Sequence, residues 1–258
     1  MCLVFLALNH NTDFKVIVAA NRDEFYARKT SPAAFWTDQP SVLGGRDLEA
    51  AGTWMAMHTN GKIALVTNYR DPANIKQQAP SRGKLVSDFL IGDQSAEPYL
   101  NDVKTKAKLY NGFNLLVADV DQWWYTSNYT DGIQKLEPGI HGLSNHLLNT
   151  PWPKVETGKE SFAKIIQHSF IPEDLFAMLA DEHVADDHDL PDTGIGRERE
   201  RALSARFIKT TGYGTRCSTV LLIDYKNRVQ YIERTYNTET FKYHTRGYRF
   251  GISAPPIV

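Results

Sequence analysis

The chain is poor in cysteine and has almost no net charge, and each shortage excludes a class of protein. Two cysteines in 258 residues, Cys2 and Cys217, cannot build a disulfide framework or a cysteine-based zinc cluster, and they point to a reducing compartment. Lys and Arg number 29 against 30 Asp and Glu, so no global field draws in nucleic acid or an anionic membrane. Long hydrophobic runs are missing too: Leu3 to Leu8 is too short to span a bilayer, lacks a basic leader and runs into the polar Asn9 to Asp13. The expectation is a cytoplasmic protein with no transmembrane segment and no nucleic-acid partner, recognising a small-molecule ligand or substrate locally. With no repeat, low-complexity tract or Pro/Gly/Ser linker, residues 1–258 read as one domain.

The chain does contain regularly spaced hairpin signals. Leu3–Leu8 and Lys15–Ala20 are apolar runs joined by a turn-rich segment. Thr53–His58 and Lys62–Asn68 flank Asn60-Gly61, the strongest short hairpin signal. Phe113–Asp119 pairs with Gln122–Asn128 across Val120-Asp121, and Ser218–Asp224 with Arg228–Glu233, while Thr240–Phe250 adds an edge strand. Helices are expected over Lys84–Leu90 behind a cap at Ser81, Pro98–Leu109, Pro153–His168 and Pro172–Ala180. Asp181 to Gly196 reads as a surface loop, and the alternating charges of Arg197 to Arg201 as a solvated face. Helices between antiparallel hairpins give an α+β fold.

Cys2 is the most informative position. Removal of Met1 would leave one residue carrying a thiol and a free α-amine, a nucleophile with its own base. The plainer reading is a small apolar residue opening a core strand. Asn21-Arg22-Asp23-Glu24 follows the second apolar run, so in a hairpin it returns to the start of the first strand, beside Cys2. An Arg there suits a thiolate or oxyanion, and an Asp suits an α-ammonium; a polar turn closed by an Arg–Asp pair is the alternative.

Ala19-Ala20-Asn21-Arg22-Asp23-Glu24-Phe25-Tyr26 after Met-Cys resembles the NRDE family, the Transport and Golgi organisation 2 proteins. The likeness continues through Gly52-Thr53-Trp54, Thr67-Asn68-Tyr69, Tyr110 to Leu115, Gly142-Leu143-Ser144-Asn145, Thr150-Pro151-Trp152-Pro153-Lys154 and Tyr213-Gly214-Thr215-Arg216. It implies an N-terminal nucleophile hydrolase-like fold, a four-layer αββα sandwich of antiparallel sheets, similar to that of the cysteine acylases of penicillin V and bile salts. By that resemblance Cys2, Arg22, Asp23, Asn145 and Arg216 form the catalytic set, with Asn145 in the oxyanion hole; Arg216 is favoured because the family motif sits there, although the acylases carry their late Arg in a setting that Arg206-Phe207-Ile208-Lys209 imitates more closely. Arg22 and Asp23 are adjacent here, whereas the acylases separate theirs by two residues. The resemblance implies either a cysteine amidohydrolase or acyltransferase acting on C–N or thioester bonds, needing no cofactor, or a non-enzymatic carrier of haem, lipid or acyl-CoA. No Cys-x-x-Cys-His haem attachment signal is present. His183 and His188 lack metal-ligand spacing, so no metal is expected. His146 follows Asn145 and is a neighbour of interest, while Cys217 reads as packing.

Overall fold

The structure is a computed structural model that describes residues 2–119 and 121–253. In chain order its strands are β1 Cys2–Leu8, β2 Phe14–Phe25, β3 Thr30–Phe35, β4 Val42–Asp47, β5 Met55–His58, β6 Lys62–Asn68 and β7 Phe113–Asp119. They continue as β8 Gln122–Ser127, β9 Ile133–Lys135, β10 Gly139–Leu143, β11 Lys209–Thr210, β12 Tyr213–Asp224, β13 Arg228–Tyr236 and β14 Tyr243–Gly251. The α-helices are α1 Gly83–Ile91, α2 Ala96–Lys106, α3 Pro153–Ile166, α4 Pro172–Leu179 and α5 Arg197–Ala202. The expected α+β class with antiparallel sheets is what these elements form. Val120, in the expected β7–β8 turn, lies outside the described residues, as does Met1.

The chain divides into two compact units. One contains β3 to β9 as a seven-stranded sheet in sequence order, covered on one face by α1 and α2. Leu85, Val86, Phe89 and Leu90 of α1 and Tyr99, Leu100 and Val103 of α2 pack there on Ala56, Ala64, Val66, Leu115 and Val117. The Asn60-Gly61 turn forms as the sequence predicts, with Gly61 at φ 100°, where a β-carbon would be strained. Ser81 does not cap α1: Arg82 occupies that position with no side-chain cap bond.

The second unit holds everything that concerns the site. Its sheet runs β10-β1-β2-β12-β13-β14, with the short β11 paired to β12. Leu3, Phe5, Ala7, Ile17, Ala19, Val220 and Leu222 form one face and pack against Val155, Phe162 and Ile166 of α3 and Leu175, Phe176 and Leu179 of α4. The apolar spacing within Pro153–Ile166 places those residues on one stripe, and the proline enters at the first turn, where its missing N–H costs nothing. The alternate residues Val4, Leu6, Val16, Val18, Leu221 and Ile223 are also buried, so both faces of this sheet are apolar. Among the described residues, no helix is long and apolar enough to cross a membrane.

Two sequence expectations change here. β2 does not end at Ala20: it runs on to Phe25 through Asn21-Arg22-Asp23-Glu24. β1 pairs with it as far as Arg22 and β12 pairs with it through Asp23 and Glu24 to Phe25, so the polar run is strand and not a turn. In Arg197 to Arg201, Glu200 is 2% exposed, which makes that segment one half of a buried ion pair.

Close approach of α3 to β1 depends on Gly158, where a β-carbon would overlap the Phe5 ring. Gly158→Ala should therefore destabilise the fold by about 1–3 kcal/mol through overpacking, despite alanine's better helix propensity. Urea denaturation of the full chain measures it, and a neutral or stabilising result would show that Phe5 moves aside freely.

Candidate functional site

Strand register gathers the predicted residues. Cys2 at the head of β1 lies directly opposite Arg22 of β2, and Arg22 lies opposite Cys217 of β12. On the other side β1 pairs with β10, Val4 opposite Leu143, and the chain leaves the strand through Ser144 and Asn145. Ser144 Oγ donates to the Cys2 carbonyl oxygen at 3.5 Å. Asn145 is fully buried. Its Oδ1 accepts from Ser144 Oγ at 3.3 Å and its main-chain oxygen accepts from Arg70 N at 2.7 Å, which fixes both its amide and its backbone.

The pleat sorts the polar strand into two faces. Residues directly opposite each other share a face and successive residues alternate, so Arg22 lies on the face of Cys2 while Asn21 and Asp23 lie on the face of α3 and α4. The contacts agree. Arg22 pairs with Glu24 at 3.7 Å. Asn21 Nδ2 donates to the carbonyls of Leu179 and Arg206 at 2.9 and 2.8 Å, and Ser218 Oγ donates to Asn21 Oδ1. Asn21 is therefore a strap that ties β2 to the end of α4.

Asp23 is 1% exposed and accepts a 2.7 Å hydrogen bond from Thr215 Oγ1, which itself accepts from Ile208 N at 2.9 Å. Burial pushes its carboxyl upward, opposed first by the charge of Lys154 and then by Thr215 and Arg22. Lys154, the second residue of α3, is 4% exposed and donates to the Leu203 carbonyl at 2.8 Å. Burial lowers its amine to about 8, against the opposing pull of Asp23. Beside it Arg70 pairs with Glu200 of α5 and covers the Trp152 ring at 4.8 Å. Thr193 donates to the same carboxylate through both Oγ1 and its backbone N–H. Tyr213 contributes a buried hydroxyl without a hydrogen-bond partner, and burial holds that phenol well above its ordinary range.

The thiol itself needs help to ionise. Cys2 is partly exposed as a residue, yet the protein around its sulfur desolvates it and raises its pKa, with Asp23 and Glu24 adding to the rise and Arg22 opposing it. At neutral pH the sulfur is therefore held as the thiol. Cys217 is buried, and its thiol is pushed well above its ordinary value by burial and by Glu233.

Arg216 sits at a β-bulge between Thr215 and Cys217, where its Nη1 donates to the carbonyls of Phe25 and Tyr26 at 2.9 and 3.3 Å. Those bonds tie it to the end of β2, where its charge acts on Arg22. His146 is held by Thr150 at 2.9 Å and by the Trp152 ring; burial lowers its pKa. The sequence reading missed Lys154, Arg70, Glu200, Thr215 and Tyr213 as members of the cluster. The signal available was partial: Lys154, Thr215 and Tyr213 stand inside the quoted motifs, whereas nothing local marks Arg70 or Glu200.

The buried lysine has a measurable signature. Its folded pKa of about 8 lies below the ordinary 10.5, so between those values the unfolded chain holds the proton more tightly. Stability must therefore rise with pH across that window. Relative to Lys154→Met, the wild type should gain roughly 3 kcal/mol between pH 8 and pH 10.5, with no relative change below pH 7. Urea titrations at a series of pH values measure this, and a flat difference would remove the buried-ammonium assignment.

With this geometry in hand, the relatives fall into place. The chain matches the family described as Transport and Golgi organisation 2 over residues 1–238. It is 35% identical to the Homo sapiens Transport and Golgi organization protein 2 homolog, over 98% of this chain and 100% of that one. It is 28% identical to the Drosophila melanogaster Transport and Golgi organization protein 2, over 91% and 92%. A solved Caenorhabditis elegans N-acylethanolamine-hydrolyzing acid amidase ortholog superposes with a TM-score of 0.52 at 12% identity, covering 86% of this chain and 92% of that one. The fold is thus that of the N-terminal nucleophile hydrolases, and the chain belongs to the Transport and Golgi organisation 2 family.

Proposed function

We propose that the protein is a cysteine amidohydrolase or acyltransferase that uses Cys2 as its nucleophile on an amide or thioester. The observation that carries this reading is Arg22 directly opposite Cys2 in the β1–β2 ladder, with Ser144, the neighbour of the buried Asn145, donating to the Cys2 carbonyl oxygen. A thiol with a raised pKa is a poor nucleophile alone. Once Met1 is removed, the α-amine of Cys2, with an ordinary pKa near 8, takes the thiol proton as the sulfur attacks the carbonyl carbon. Asp23, on the helix face, holds the resulting ammonium.

The tetrahedral oxyanion takes a hydrogen bond from Asn145 and the positive field of Arg22. When the C–N or C–S bond breaks, the ammonium returns its proton to the leaving amine or thiol, and a thioester to Cys2 remains. Water, or an acceptor nucleophile, then releases the acyl group by the same steps in reverse. Arg216 holds the end of β2 and orients Arg22. No metal or cofactor takes part in this scheme.

The carrier reading, with haem or an acyl lipid as cargo, needs an apolar slot and one axial or anchoring group. An Asp, an Arg and a buried Asn around one thiol match the charges of acyl transfer more closely than that requirement, which ranks the hydrolase reading first.

Cys2→Ala should reduce turnover of N-acyl amides and acyl thioesters by on the order of 1000-fold or more, and Asn145→Ala by about 100- to 1000-fold. Intact-mass spectrometry should show Met1 absent, and iodoacetamide should label Cys2 well ahead of Cys217. Retained Met1 with equal, slow labelling of both thiols would remove the hydrolase reading. A saturable Soret shift on haem titration that disappears in Cys2→Ala would favour the carrier.

A further inference from the structure

The segment Arg206-Phe207-Ile208 has no part in the acyl-transfer scheme, yet hydrogen bonds fix each of its residues. The Arg206 carbonyl accepts from Asn21 Nδ2 at 2.8 Å, and Phe207 N donates to the Asp181 carbonyl at 2.8 Å. Ile208 is joined to Thr215 of β12 twice. Thr215 N donates to the Ile208 carbonyl at 2.9 Å, which continues the β11–β12 ladder by one position. The return bond runs to a side chain: Ile208 N donates to Thr215 Oγ1 at 2.9 Å. Gly214 permits this approach, since a β-carbon there would overlap the Ile208 carbonyl oxygen.

These contacts set the direction of one proton. A main-chain amide can only donate, and a hydroxyl carries a single donor. With the Ile208 N–H aimed at its oxygen, the Thr215 proton turns to its other neighbour, Asp23 Oδ1 at 2.7 Å. That is the length of a hydroxyl bond to a charged carboxylate, and Thr215 is fully buried. Asn21 and Asp23 stand two residues apart on β2, so the bonds close a ring from Asn21 to Arg206, along the chain to Ile208, across to Thr215 and back to Asp23. Within that ring the carboxylate has one orientation.

We propose that Thr215 is a positioning residue whose hydroxyl, made a one-way donor by the Ile208 amide, orients Asp23 and selects its carboxylate form. A proton on Oδ1 would meet the Thr215 proton head on, so the protonated acid is disfavoured there. Other groups act on Asp23 by charge: Lys154 of α3, Arg70, Arg22 of β2 with Tyr26 just beyond it, Tyr213 of β12 and Cys2 of β1. A field of that kind shifts ionisation without fixing a rotamer, whereas a directed hydrogen bond does both. In the scheme above Asp23 takes the α-ammonium, so the catalytic meaning of Thr215 rests on the Cys2 reading; the orientation of the carboxylate does not.

The test reads Asp23 directly, by carbon-13 NMR of the full chain labelled at the aspartate carboxyl, with the Asp23 resonance identified by its loss in Asp23→Asn. Burial lifts its titration above the ordinary carboxylate value. Thr215→Val keeps the shape of the side chain and removes the hydroxyl, and should raise the Asp23 midpoint further by about one pH unit, a tenfold change in proton affinity. Thr215→Ser keeps the hydroxyl and should leave the midpoint where the wild type has it. A midpoint unmoved by valine, or moved as far by serine, overturns the proposal. If Thr215→Val fails to fold, the wild type decides: the Thr215 hydroxyl proton should exchange slowly enough to be observed and should shift with the Asp23 midpoint. A hydroxyl proton lost to fast exchange with water, or indifferent to that titration, overturns the assignment. Should Cys2→Ala leave turnover of N-acyl amides intact, the nucleophile reading fails while the effect of Thr215→Val on Asp23 persists, so the two failures are distinct.

Discussion

The structure turns on one buried carboxylate. Asp23 lies near the end of β2 with almost no solvent contact, an arrangement that costs several kcal/mol unless charge and hydrogen bonds compensate it. Thr215 on the neighbouring strand supplies the hydrogen bond and Lys154 at the start of α3 supplies the charge. Burying Lys154 in turn requires a carbonyl acceptor, which the turn at Leu203 provides. A chain of such dependencies joins β2, β12, α3 and the segment around α5, and it accounts for the presence of so many polar groups in the interior of an otherwise apolar unit.

The same strand shows how the pleat divides labour. Asn21 and Asp23 face the helices, one as a strap to α4 and the other as the buried charge; Arg22 and Glu24 face the side of the thiol. Four consecutive polar residues thus serve two surfaces without competing for space. Alternation of this kind places the Cys2 side chain and the Asp23 carboxylate on opposite sides of one sheet.

Much of this was legible in the chain. The hairpin signals at Asn60-Gly61 and between Leu3–Leu8 and Lys15–Ala20 marked antiparallel pairing, and Pro153 and Pro172 marked helix starts, because turn chemistry and proline geometry act over a few residues. The reading failed where tertiary context outweighed local preference. Asn21 to Glu24 looks like a turn by composition and is a strand because β12 pairs along its whole length and β1 as far as Arg22. Glu200 looks like part of a solvated charged face and is buried because Arg70, 130 positions away, meets it.

Sequence alone settled the α+β class, the antiparallel pairing and the residues Cys2, Arg22, Asp23 and Asn145 as a set worth placing together, since hairpin closure and residue chemistry are local properties. Only the tertiary structure decided which face each occupies, that Arg216 is tied to the end of β2, and that Lys154 is buried at the start of α3 against the Leu203 carbonyl. Those outcomes depend on strand register and helix packing between segments more than 100 residues apart, and no short-range pattern encodes them.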